Sequence, residues 1–338
     1  MAGPGTEERL FRRYAVCADG TRVVQSTAPG LVRAVVESAE VRAGQHVLEV
    51  GTGSGYSTAV LAQIVGPAGH VVSLDVNQAL AERARDLLGA DGLRQVEVHC
   101  QDARTELPDG GPFDRVIAWV TSPAVPGAWL AAVRDGSLLV LPVAIAPVLG
   151  ATAVVRIRRV GGKPHVERLM RGGFAPVRGP TALGLPDLHG LRGRYLVGGR
   201  RRELVDDHLA QCGVAAAKLA RRARRDAPGW CTPSRPRARL LLAEESPEAF
   251  ALFVSVTRPE AVVIQAPAIG RVVGVGSWDG LAAQAVEQNV LLTTSEDATV
   301  CLREVVQAWR AAGCPDLPAY RPRLRQDGAD WLVRLSVS

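Results

Sequence analysis

Apolar residues recur at 31, 32, 35 and 36, the three-to-four spacing that gathers one stripe on a helix, so the pattern predicts a helix over 31–39. Pro29 stands just ahead of it, where a missing N–H costs nothing. A short apolar run, 47–50, then gives way to a glycine-rich stretch and a second helical pattern over 58–65: strand, tight loop, helix. Gly66-Pro-Ala-Gly69 closes that helix, and 71–75 is a second strand that finishes on a carboxylate. A helix over 79–88 follows, then a strand at 96–100 ending near Asp102, a fourth at 113–119, a helix at 128–133 and a fifth strand at 137–142. Strands alternating with helices at this spacing predict the α/β class: a doubly wound parallel sheet, Rossmann-like, with right-handed crossovers and ligand sites at the carboxyl ends of its strands. The stretches 154–158 and 166–170, joined across Gly161-Gly162, predict an antiparallel hairpin appended to that sheet.

The pattern then changes. Residues 176–199 are rich in Pro and Gly and read as a linker or long ordered loop rather than an element. Beyond them lie a basic helical stretch over 201–225, strand-like runs at 238–242 and 261–265, a long helix over 295–312, and a last strand at 331–337 after the Asp327-Gly328 turn. Two domains are expected, a doubly wound one over 1–180 and an α+β accessory or substrate-recognition domain over 200–338.

Composition narrows the class. The 338 residues exceed the usual single-domain size, and 47% hydrophobic with 22% charged residues is ordinary for a soluble globular chain. No apolar run reaches bilayer length, and the first residues lack the basic-then-apolar order of a secretory signal, so no membrane association and a cytoplasmic location are expected. Six cysteines form no C-x-x-C pair, and His208 with Cys212, one helical turn apart, have no third ligand, so no metal is expected. The net charge of +6 is mostly arginine, gathered at 156–159, 192–202 and 221–225. Such clusters can attract acidic peptides or nucleic acid, but solvated faces in an Ala-, Gly-, Arg- and Val-rich chain are the simpler account. Nothing in the pattern speaks to oligomeric state.

The chemistry concentrates in Val47-Leu-Glu-Val-Gly-Thr-Gly-Ser-Gly-Tyr56. Glycine after a strand lets a ligand approach the backbone, because no Cβ intervenes and positive φ is tolerated. Dinucleotide folds place the third glycine three residues after the second, whereas Gly51, Gly53 and Gly55 alternate, which favours S-adenosylmethionine over NAD. Three carboxylates suit a phosphate-free nucleoside carrying an amino acid. By position Asp75 takes the ribose hydroxyls, Asp102 or a nearby backbone group the adenine amine, and Glu49 with the loop the methionyl end. Thr52, Tyr56, Val76 and Ala103 complete the candidate cofactor set. Methyl transfer needs chiefly an aligned nucleophile, and alignment alone is worth roughly 7–11 kcal/mol of barrier. A carboxylate acceptor is already ionised near pH 7 and needs no general base, in keeping with six histidines of which none occupies a strand-end context.

The same loop, with Val71-Val-Ser-Leu-Asp75, Phe113-Asp114 and Leu138-Leu-Val-Leu-Pro-Val143, resembles the protein-L-isoaspartate O-methyltransferases over about residues 24–177. That family carries a serine two residues before a proline, close to the methyl-accepting carboxylate. In Val24-Gln-Ser-Thr-Ala-Pro29 the place belongs to Thr27, with Ser26 beside it. The resemblance implies that Thr27, or Ser26 in its stead, positions the acceptor, the alternative being a plain N-cap of the following helix. Tyr56 is placed to shield the donor, and Trp119 and Thr121, at the end of the fourth strand, to line the acceptor side. A reduced amino-terminal helical region and an additional carboxyl-terminal domain depart from the family. Arg171-Gly-Gly-Phe-Ala-Pro-Val177 and the 309–325 region are similar to methyltransferases of ribosomal peptide maturation, in FxLD lanthipeptide and ATP-grasp systems. The implied reaction is methylation of an aspartyl or isoaspartyl side chain of a peptide, most specifically a ribosomally made precursor, to an ester that collapses to succinimide. Isoaspartyl repair is the alternative.

Two other readings compete. Enzymes that form methyladenosine in tRNA share Gly-Thr-Gly-Ser-Gly and a segment like Val65-Gly-Pro-Ala-Gly-His-Val-Val72, but 4% aromatic residues argue against a base-stacking surface and thus against a nucleic-acid partner. A chain that binds cofactor or peptide and transfers nothing is the other.

Overall fold

The computed structural model describes residues 4–146, 151–172, 174, 195–197, 200–202, 240–258, 261–266, 270–276, 281–286, 289–293 and 296–337. The chain forms two compact units: residues 1–143, 152–187 and 324–332 make the first, and 144–151, 188–323 and 333–338 the second.

The first unit opens with α1 (Pro4–Ala15) and α2 (Pro29–Ala39) and continues with β1 (His46–Val50), α3 (Tyr56–Val65), β2 (His70–Asp75), α4 (Gln78–Ala90), β3 (Val96–Cys100), β4 (Phe113–Ala118), α5 (Gly127–Ala131), β5 (Val133–Ala144), β6 (Thr152–Val160) and β7 (Lys163–Met170). These strands build one seven-stranded sheet in the order β3-β2-β1-β4-β5-β6-β7. The pairs β1–β2, β1–β4, β2–β3 and β4–β5 are parallel, and β6–β7 is the antiparallel hairpin expected from the Gly161-Gly162 turn. Strand order reverses between β1 and β4, so the loops that leave those two strands open a crevice at their carboxyl ends, the place where doubly wound sheets bind ligands.

Local chemistry explains the elements. The Asn77 side chain accepts from the Leu80 N–H at 3.1 Å and starts α4, satisfying a donor the helix leaves unpaired. Helix α3 buries residues on nearly every side, among them Tyr56, Ser57, Thr58, Leu61 and Val65. One of its neighbours is α1, which the sequence pattern does not announce: its apolar positions are few, yet Phe11 meets Tyr56 edge-on at 5.1 Å and the buried Tyr14 hydroxyl donates to Asp91 at 2.8 Å. Three other expectations move. The helix at 128–133 stops at Ala131, because Val133 already pairs with Phe113 as the start of β5.

Within 176–199 and 201–225, Tyr195–Val197 (β8) pairs antiparallel with Arg200–Arg202 (β9), where a loop and then a helix were expected. The rest of 176–225 lies outside the described residues, as do His208 and Cys212. The described part of 238–242 is bend rather than strand. The second unit also holds α6 (Pro247–Thr257), the antiparallel sheet β10 (Ala261–Ala266), β11 (Gly270–Gly276), β12 (Leu281–Ala285) and β13 (Val290–Thr293), and α7 (Glu296–Ala311). Phe250 packs on Trp309 at 5.5 Å, and Arg310 grips Glu245 through two nitrogens, tying α6 and its approach to α7. A hairpin of β14 (Tyr320–Asp327) and β15 (Asp330–Val337), turning at Asp327-Gly328, ends the chain. Among the described residues no helix is long and apolar enough to cross a membrane.

Candidate active site

The loop after β1 is folded onto the end of β2. Gly51 and Thr52 both donate to the Leu74 carbonyl, at 2.7 and 3.1 Å, and Gly53 N–H donates to Asp75 Oδ2 at 2.8 Å. Asp75 Oδ1 accepts from Asn77 N–H at 2.9 Å, so one partly exposed carboxylate ties the loop to the start of α4. Gly53 sits at φ +53°, and a Cβ there would fall 2.3 Å from the Gln25 carbonyl oxygen. That carbonyl instead accepts from Ser54 N–H at 3.1 Å, which lays the Val24–Pro29 segment directly against the loop.

Glu49 corrects an expectation. Its carboxylate is fully buried, and one oxygen accepts from Ser57 Oγ (2.6 Å) and Trp119 Nε1 (2.7 Å) while the other accepts from Thr58 Oγ1 and from Ser73 Oγ (2.6 Å). No acceptor site remains for the methionyl end of a donor. Burial pushes this carboxyl up from its ordinary range, the four hydrogen bonds pulling the other way. Its role is to pin β1, β2, α3 and the end of β4 to one point beneath the loop. Thr52, also buried, joins the same network through Ser73 Oγ at 2.6 Å.

Tyr56 is 2% exposed, its ring against Phe11, and burial pushes the phenol up to about 12. The expected shield of the donor is thus a packing residue that seats α1 on α3. Asp102 faces Arg104, whose backbone N–H and guanidinium reach it at 2.9–3.2 Å, which leaves backbone groups such as those of Ala103 the better partners for an adenine amine. The Ala103 carbonyl itself accepts from Trp129 Nε1 at 2.8 Å, and the half-buried Val76 presents its carbonyl to Cys100 Sγ at 3.9 Å.

On the acceptor side, Ser26 Oγ donates to the Val23 carbonyl at 2.7 Å and is thereby engaged. Thr27 is half-buried, and its hydroxyl has no hydrogen bond among the described residues. The capping alternative fails for it, because Ala28 occupies the N-cap of α2 and no side chain caps that helix. At the end of β4 the Trp119 ring lies 6.0 Å from Phe174, and Thr121 Oγ1 donates to the Phe174 carbonyl at 2.9 Å. Gln25 and Phe174 escaped the sequence reading as site residues. Gln25 acts through its backbone, which no residue type marks, whereas Phe174 lay inside the noted 171–177 motif.

Two histidines and the first arginine cluster serve the fold elsewhere. His46 and His70 begin β1 and β2, at the opposite end of the sheet from the loop. Arg156 pairs with Glu40 (2.6 Å) and Glu167 (2.8 Å), and Arg158 with Glu167, so much of the first arginine cluster serves ion pairs of the fold. Among the described residues no group of His, Cys, Asp or Glu could hold a metal.

Comparison with known proteins decides the family. The model of the protein-L-isoaspartate(D-aspartate) O-methyltransferases matches residues 15–180. The protein-L-isoaspartate O-methyltransferase of Ignicoccus hospitalis is 38% identical over 151 residues, 45% of this chain and 71% of its own. The chain belongs to the protein-L-isoaspartate O-methyltransferase family. The enzyme of that name from Anaeromyxobacter dehalogenans is likewise 38% identical, over 152 residues covering 44% of this chain and 70% of its own. A solved protein-L-isoaspartate O-methyltransferase aligns with 93% of this chain and 82% of its own at 18% identity, with a TM-score of 0.45.

As a member, the chain is an S-adenosylmethionine-dependent O-methyltransferase. The residues present fit that cofactor: Gly51, Gly53 and Gly55 all hold positive φ and present no Cβ, and the Asp75 carboxylate stands partly exposed beside them. Gly51, Gly53, Gly55, Asp75, Val76 and Ala103 would hold the cofactor, with Glu49, Thr52 and Tyr56 shaping the loop from below.

Proposed function

We propose that this methyltransferase esterifies the free α-carboxylate of isoaspartyl residues in peptides or proteins. Held by Gly51, Gly53, Gly55, Asp75, Val76 and Ala103, the cofactor would supply an electrophilic methyl group for which the substrate carboxylate is the acceptor. The ester is then open to the next backbone nitrogen, which closes a succinimide and releases methanol, its amide proton leaving with the methoxide. Thr27 carries this reading: an unengaged hydroxyl, two residues from a carbonyl bonded to the glycine loop, suits an acceptor that needs aligning rather than deprotonating.

The test is mass spectrometry of an isoaspartyl peptide and its aspartyl twin after incubation with the protein and S-adenosylmethionine. Ester or succinimide is expected from the isoaspartyl form alone. Thr27→Ala is expected to lower kcat/KM about tenfold, the worth of one hydrogen bond to a charged group, with cofactor affinity unchanged. Full turnover by that variant would remove Thr27 from the site. A second reading, a dedicated ribosomal precursor peptide as substrate, draws on the separately cored α+β unit beyond the region matched by the family model. It is favoured if both free peptides stay unmodified while the cofactor binds.

A further inference from the structure

We propose that the tip of the carboxyl-terminal hairpin is the positioning element of the acceptor-side loop, setting the geometry that the peptide substrate meets. This inference rests on the carboxyl methyltransferase reading above. The loop from Trp119 to Pro126 follows β4; Trp119 is tied to Val50 and Glu49 and Thr121 to Phe174, and beyond them the backbone is held at two further points. Ser122 N–H donates to the Pro142 carbonyl at 2.9 Å, which fixes its start along β5. Its far end is fixed by residues two hundred positions away in sequence: Val125 and Trp331 exchange both backbone hydrogen bonds, at 2.8 and 3.0 Å, as an antiparallel bridge. Residues 324–332 belong to the same compact unit as the sheet, although the family model ends at residue 180.

The side-chain chemistry of the junction is specific. Helix α5 begins behind Pro126, which has no side chain able to cap it, and Gly127 N–H is one of the donors such a start leaves open. Asp330 Oδ1 accepts that proton at 2.8 Å, so the cap comes from the hairpin. Gly127 is also where the two backbones come closest: a Cβ there would lie 2.0 Å from the Ala329 carbonyl oxygen. Val125 is fully buried and Ala124 nearly so, which leaves the loop little freedom while the hairpin is seated. The donor side has its own fastenings, to Leu74, Asp75 and Gln25. Trp119 is tied to the donor side through Glu49 and Val50, but the far end of the loop, at Val125 and Gly127, shares none of these bonds and can be loosened alone.

The experiment uses the full chain with Asp330→Ala, Asp330→Asn and Gly127→Ala. Asp330→Ala is expected to raise KM for the isoaspartyl peptide about tenfold, the loss of one charge-assisted bond, with kcat and cofactor affinity unchanged. Asp330→Asn, whose amide oxygen still accepts from Gly127, is expected to restore most of the loss. Gly127→Ala, which forces the backbones apart, is expected to exceed Asp330→Ala. Hydrogen exchange is expected to quicken over 120–128 and to stay unchanged over 51–55. Equal loss of peptide and cofactor affinity, or faster exchange spreading to 51–55, would make the hairpin a general strap and overturn the proposal. So would an unchanged KM in a variant whose 120–128 amides are released. If the parent protein methylates neither test peptide, the substrate reading fails by itself, and exchange then decides: release confined to 120–128 supports the positioning role, and none overturns it.

Discussion

Glu49→Ala is expected to lower the unfolding free energy of the methyltransferase unit by about 3–5 kcal/mol, through stranded buried donors and the cavity left behind. The fully buried carboxylate accepts from Ser57, Thr58, Ser73 and Trp119. One of those hydroxyls can turn to another partner, since Ser73 already touches Thr52, but the indole N–H of Trp119 has a fixed direction. At about 2–4 °C per kcal/mol for a domain of this size, the melting temperature falls by roughly 6–20 °C. Glu49→Gln keeps the volume yet aims an amide N–H at groups that are themselves donors, so it should recover only part of the loss. Calorimetry with and without cofactor decides the matter. A variant that melts like the parent but no longer binds S-adenosylmethionine would return Glu49 to direct ligand contact.

That reversal for Glu49 shows where sequence is informative and where it stops. The sheet was legible because its inner strands are covered on both faces and appear as short, mostly apolar runs, Val47 to Val50 and Val71 to Leu74, each followed by a helical period. The same property hides the destination of a polar residue within such a run: when both faces are buried, alternation no longer separates inside from outside. Glu49 stood next to the glycine loop in sequence and was assigned to the ligand, yet its side chain enters a layer of hydroxyls under α3. Ser57 and Thr58, adjacent in an otherwise apolar helix, were the available sign of that partner. Asp75, at the very end of its strand, met no such ambiguity, because a strand terminus opens on the crevice whichever way it points.

Long-range pairings were the other gap. No local pattern relates Val125 to Trp331 or Gly127 to Asp330, and Gln25 acts through a carbonyl that every residue possesses. Helix α1 was missed because its stripe is narrow, Leu10, Phe11, Tyr14 and Ala15 amid charged residues, and becomes convincing only once Tyr56 and Asp91 are seen to receive it. Thr27 lies between these cases. The motif marked it, but only the geometry separates it from Ser26, whose hydroxyl is engaged with Val23.

Asp75→Ala is expected to weaken S-adenosylmethionine binding by about 10²- to 10⁴-fold, the worth of two hydrogen bonds to a charged group at roughly 1.5–3 kcal/mol each. The carboxylate has a second task, since Oδ2 holds Gly53 N–H and Oδ1 holds Asn77 N–H. Its removal therefore also slackens the loop, by about 1–2 kcal/mol of stability. The two effects separate by calorimetric titration beside thermal unfolding. Loop slackening alone would cost the cofactor no more than the stability lost, whereas a ribose contact costs considerably more. Asp75→Asn tests the division further: its amide oxygen can keep Gly53 while its NH2 then faces the Asn77 N–H, so only part of the stability should return while much of the affinity loss remains. An Asp75→Ala variant whose affinity falls only in step with its stability would leave Asp75 as a brace of the glycine loop and send the ribose hydroxyls to another acceptor.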